Sequence, residues 1–124
     1  MEKVTGIGGV FFRASNPPLL SRWYEENLGV SQVPTSYDQQ PWKQEAGSTV
    51  FAPFENDTEY FGKPSQAWMI NFRVRDLAKM VDQLRSKGIE VEMDENTHPN
   101  GSFARLHDPE GNPIELWEPA SPDG

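Results

Sequence analysis

The sequence predicts one α+β domain built from two βαβββ repeats. Three observations carry that prediction. A strand-like segment runs into a helix-like one twice, as Phe12-Arg13-Ala14-Ser15-Asn16 and again 60 residues later as Phe72-Arg73-Val74-Arg75-Asp76. Each helical pattern is followed by short segments of strand composition. The chain has 124 residues, 35% of them hydrophobic and 11% aromatic, which suits a single packed core.

The elements follow in order. Ile7–Ala14 and Trp68–Val74 are rich in β-branched and aromatic residues and read as the opening strand of each repeat. The first helix begins where Ser15 or Asn16 can accept the free N–H groups of its first turn, and Pro17 and Pro18 tolerate that turn. Leu19, Leu20, Trp23, Tyr24 and Leu28 form its apolar face, and Gly29 ends it. The second helix has Asp76 as cap, an apolar face of Leu77, Met80, Val81 and Leu84, and Gly88 as its stop. Shorter strands are expected at Val30–Val33, Trp42–Glu45 and Thr49–Phe54, then at Glu90–Met93, Ser102–Leu106 and Pro113–Glu118. This gives repeat one over 4–54, a polar linker over 55–66, and repeat two over 67–119, within one domain spanning 1–124. The tail 120–124 is expected to fray. Asp108-Pro109-Glu110-Gly111-Asn112 reads as a tight turn between the last two strands.

Composition excludes several functions. With no cysteine, the chain has no disulfide, no thiolate metal site and no cysteine nucleophile, which suits a reducing cytoplasm. No apolar run approaches the roughly 20 residues of a membrane span. The start Met1-Glu2-Lys3-Val4-Thr5-Gly6 lacks the pattern of a signal peptide. A formal net charge of −8 repels phosphate backbones, so neither nucleic acid nor membrane is an expected partner. Gly6-Ile7-Gly8-Gly9 lies within or before a strand with no helix following directly, and is not a dinucleotide fingerprint.

Taken together, Val10-Phe11-Phe12-Arg13-Ala14 ahead of a helix holding Trp23-Tyr24 and Leu28-Gly29, then Phe72-Arg73-Val74-Arg75-Asp76-Leu77, then Asp108-Pro109-Glu110-Gly111-Asn112-Pro113-Ile114-Glu115-Leu116, resemble the vicinal-oxygen-chelate superfamily. That is the group of glyoxalase, bleomycin-resistance and extradiol dioxygenase proteins. The resemblance implies that each repeat makes a curved half-barrel sheet, that the two enclose a cleft, and that the protein is a homodimer. It also implies a possible divalent metal, whose ligands stand on the first and last strands of each half. Those positions fall here on Gly9, Phe51, Met69 and Glu115. Only Glu115 has a suitable donor, and a catalytic metal needs about three protein ligands. Neighbouring Gly8, Val10, Val50, Ala52, Trp68 and Ile70 offer no replacement, and His98 and His107 read as surface residues. No metal or other cofactor is therefore expected.

Strand alternation then assigns the cleft face. Phe11 and Arg13 follow Gly9; Asn71 and Arg73 follow Met69; Trp117 follows Glu115; Phe51 stands on its own strand. Val10, Phe12, Ile70, Phe72, Val74, Ile114 and Leu116 face the helices. Trp42 and Gln44 are expected at the cleft mouth, and Tyr60 and Phe61 as a lid or as anchors of the linker. An aromatic pocket with a few polar groups suits a small, partly apolar or anionic ligand. Arg13 and Arg73 either form a structural network with Glu115 and Glu45 or grip an anion. Glu115 is either salt-bridged or a candidate general base. Three functional readings stand: a metal-free protein that binds a small molecule, a metal-dependent glyoxalase-like lyase or dioxygenase, and an interaction module whose cleft is filled by Phe11, Phe51, Met69 and Trp117.

Overall fold

The protein is described here by a computed structural model covering residues 1–121. Its elements run α1 (Pro17–Leu28), β1 (Ile70–Arg73), α2 (Leu77–Ser86), β2 (Glu92–Met93), β3 (Gly101–His107) and β4 (Pro113–Pro119). The strands form one curved open sheet in the order β1-β4-β3-β2, with β1 parallel to β4 and the other pairs antiparallel. The fold is α+β, and the second repeat is a complete βαβββ unit. No helix is long and apolar enough to cross a membrane. Of the expected frayed tail, residues 122–124 lie outside the described residues.

Local chemistry sets the helix ends as the sequence predicts. The Leu19 N–H donates to Asn16 Oδ1, and Gly29 closes α1 at φ +74°. The Lys79 N–H donates to Asp76 Oδ1, and Gly88 follows α2 at φ +80°. Glu118 on β4 adds a second acceptor for α2, taking the Leu77 N–H at 2.7 Å.

One face of the sheet is apolar. Ala104, Leu106, Ile114 and Leu116 pack against Leu20 and Tyr24 of α1 and Leu77, Val81 and Leu84 of α2, all of them buried. Burial of this set is the main favourable term of folding. The hairpin turn at Asp108 ties both repeats to that core. Asp108 is only 5% exposed, and its carboxylate accepts the Tyr24 hydroxyl at 2.7 Å, the Glu110 and Asn112 N–H groups, and the Asn112 side-chain amide. Burial, followed by the hydrogen bond to Asp108 and its charge, pushes the Tyr24 phenol well above the ordinary tyrosine range. Glu110 then reaches back to accept the Ser15 and Asn16 N–H groups at 2.7 and 3.0 Å, just ahead of α1.

The first repeat differs from its expectation. Its helix is seated, yet among the described residues no strand precedes Ile70, so the segments at 7–14, 30–33, 42–45 and 49–54 have no ladder partners. Phe11 is 96% exposed, Phe51 85% and Val50 74%, and Val10 faces solvent instead of lying under a helix. Phe12 keeps one aromatic neighbour, Trp68, at 4.8 Å between ring centroids. The physical reason is that alternation makes a segment competent for pairing, while pairing itself requires an edge and a buried face. The accessible area is 9817 Å². A compact monomer of this mass exposes roughly 6,700 Å².

Candidate functional site

The concave face of the sheet, opposite the helices, is built by register. Asn71 pairs with Glu115 and Arg73 with Trp117 across β1 and β4. Arg105 pairs with Glu115 and Phe103 with Trp117 across β3 and β4. Side chains at directly paired positions share a face, so Asn71, Arg73, Phe103, Arg105, Glu115 and Trp117 converge.

Glu115 is the centre of this group. One carboxylate oxygen accepts the Asn71 side-chain amide at 2.7 Å, and the other accepts the Tyr60 hydroxyl. Tyr60 comes from the irregular segment between the repeats. The Arg105 guanidinium lies 4.5 Å from the Tyr60 ring centroid and donates to the Tyr60 carbonyl at 2.7 Å, while Phe54 stacks on the ring at 5.8 Å. Burial, then the Glu115 hydrogen bond and charge, push the Tyr60 phenol up to about 12, with Arg105 opposing. The phenol is therefore a neutral donor at physiological pH.

The other expected positions sort into three groups. Trp117 is buried, and its indole N–H donates to the Asn100 carbonyl at 2.8 Å, so it forms a fixed floor. Met69 precedes β1, with its sulfur 3.8 Å from an Arg105 nitrogen. Arg73 bends over Gly47 and donates to the Glu45 and Ala46 carbonyls, leaving no room for a Cβ on Gly47. The Glu45 carboxylate instead pairs with Arg75, at an exposed position. Phe11, Arg13, Trp42, Gln44 and Phe51 border the wide cleft but are solvent-exposed. Phe11 and Phe51 therefore do not plug it.

Sequence reasoning missed several groups. Arg105 and Phe103 were recoverable by counting back from the Asp108 turn, because His107 pairs with Pro113. His98 keeps its expected place at the surface, its side chain 42% exposed, and has partners there. It hydrogen-bonds Asp94 at 2.8 Å and packs edge-on against Phe103 at 5.8 Å. The His98 hydrogen bond is the chief cause that holds the Asp94 carboxyl below its ordinary value, assisted by the Asn96 N–H.

The four implied metal positions do not fit a divalent ion. Gly9 and Phe51 have no donor, Met69 is a soft thioether beside a guanidinium, and both Glu115 oxygens are engaged. Among the described residues no three His, Asp or Glu side chains gather into a metal-holding group.

Comparison with known proteins agrees with this architecture. TnmS3, an antibiotic binding protein from Streptomyces sp. CB03234, is 19% identical with a TM-score of 0.61, over 97% of this chain and 100% of that one. A protein of the mobile metagenome of V. Pseudocholerae, VPC_CASS1, is 16% identical with a TM-score of 0.63, over 98% and 99%. A glyoxylase/bleomycin resistance protein/dioxygenase domain from Frankia sp. EAN1pec is 14% identical with a TM-score of 0.57, over 94% and 99%. These likenesses concern the fold. No curated protein matches the chain. Residues 6–116 match the family model, and the chain belongs to the Glyoxalase/Bleomycin resistance protein/Dioxygenase superfamily.

Proposed function

We propose that this protein binds a small, partly aromatic molecule on the concave face of its sheet, without a resident metal. The observation that supports this most is the union of a fixed aromatic floor, Trp117 and Phe103, with converging polar groups, Asn71, Glu115 and Arg105. Small-molecule sites have that composition. TnmS3, with the same fold, is described as antibiotic binding. A metal-dependent lyase or dioxygenase is the competing reading, and the donor set on the face does not favour it. Glu115 as a general base is compatible with the site once a substrate replaces the Tyr60 hydroxyl.

The proposed working state is a homodimer in a reducing cytoplasm. The first repeat leaves Phe11, Val50 and Phe51 exposed, and the accessible area well exceeds that of a compact monomer of this mass, which leaves apolar surface for a second copy to cover. Light scattering is expected to give twice the chain mass, and a monomer across the micromolar range would remove this part of the proposal.

The binding claim is tested by thermal shift against an aromatic fragment library and against Zn, Ni, Mn and Fe(II). Stabilisation by fragments, lost in Asn71→Ala and Glu115→Ala, is expected. Stabilisation by one metal at stoichiometric content would overturn the metal-free reading.

A further inference from the structure

The segment between the repeats places a phenol of this chain on the central carboxylate. Tyr60 donates its hydroxyl to Glu115, its ring lies under the Arg105 guanidinium, and Phe54 stacks on it. Each contact suits a hydroxyaromatic group: an acceptor for the O–H, a cation over the ring face, and an aromatic neighbour. The segment that presents Tyr60 has turns but no helix or strand, and among the described residues Arg105 and Glu115 hold it to the sheet. A turn-built segment of this kind opens at low cost. Asn71 holds the second Glu115 oxygen, so the carboxylate stays aimed when the phenol leaves.

We infer that Tyr60 is a tethered stand-in for the ligand, and that the site takes a neutral hydroxyaromatic molecule whose O–H donates to Glu115 after Tyr60 swings away. This rests on the proposed binding role and narrows it to a ligand class. Tyr60 then competes with the ligand, so its removal tightens binding.

The test uses the full chain and two probes, β-naphthol and its methyl ether, with titration followed by protein NMR. Tyr60→Ala is expected to bind the naphthol about tenfold tighter than the unaltered protein, because the site is no longer self-occupied. The methyl ether, which has no O–H to donate, is expected to bind more weakly than the naphthol in both. Tyr60→Phe keeps the ring and loses the donor, and is expected to show a smaller gain. It carries the test should the alanine variant fold poorly. Equal affinity of unaltered protein and both variants for the naphthol would overturn the inference, as would equal binding of naphthol and ether. Failure of both probes also sinks it. In that case, binding of other fragments to the concave face would leave the broader binding role standing.

Discussion

The two repeats begin alike and end differently. Both have a capped helix with a glycine stop, and both carry segments of strand composition. In the second repeat the strands close a four-stranded ladder over Leu84, Ile114 and Leu116, whereas in the first the equivalent segments leave Phe11 and Phe51 in solvent. The difference teaches that helix signals are satisfied locally, within about one turn, while strand signals are satisfied only by a partner edge. The second repeat owns a tight hairpin that brings its partner strand within reach at once. Among the described residues the first repeat has no hydrogen-bonded turn of this kind between its 42–45 and 49–54 segments, although only Ala46, Gly47 and Ser48 separate them.

The largest test of this contrast is truncation on each side. Leu84→Ala or Leu116→Ala is expected to cost about 2–5 kcal/mol in chemical denaturation. Phe11→Ala or Phe51→Ala is expected to change the dilute protein by less than about 0.5 kcal/mol. A cost for Phe51→Ala that grows with protein concentration would indicate that a second copy covers the segment.

Next is the junction between repeats. Asp108→Ala removes the acceptor of the buried Tyr24 hydroxyl and of two backbone N–H groups, and is expected to cost about 3 kcal/mol. If the repeats were independent, α1 would keep its helical signal in this variant; cooperative loss of both helices by circular dichroism is expected. Glu110→Ala deprives the Ser15 and Asn16 N–H groups of their acceptor, with an expected cost of about 1 kcal/mol.

The smallest effect is alkaline. Tyr60 in the folded protein titrates near 12, above its ordinary 10.0. A raised value means that the protonated phenol stabilises the fold, fully below pH 10 and progressively less as pH rises through 12. Stability should fall across that window, and more shallowly in Tyr60→Phe. An identical slope in the two proteins would remove the Tyr60–Glu115 contact from the account.

The helix ends of both repeats and the closing hairpin of the second were legible because their determinants are close in sequence. Asn16, Asp76, Gly29 and Gly88 act within a turn of their helices, and Asp108 to Asn112 close on themselves. The inward set of Asn71, Arg73, Glu115 and Trp117 followed from alternation, since Phe72, Ile114 and Leu116 demand the other face. The role of Tyr60 was only partly legible. A residue in an irregular segment has no periodicity to aim it, and its partner Glu115 is 55 positions away. Arg13 was expected to mirror Arg73, but the strand that would turn it inward is unpaired, and it faces solvent.

The most direct test of the central claim is a two-dimensional NMR screen of the labelled protein against aromatic fragments. The account predicts that binders shift the Trp117 indole N–H and the Asn71 side-chain amide together, since both lie on the face that carries Glu115. Fragments that bind while leaving both signals unmoved, or no binder at all, would contradict a small-molecule site on the concave face.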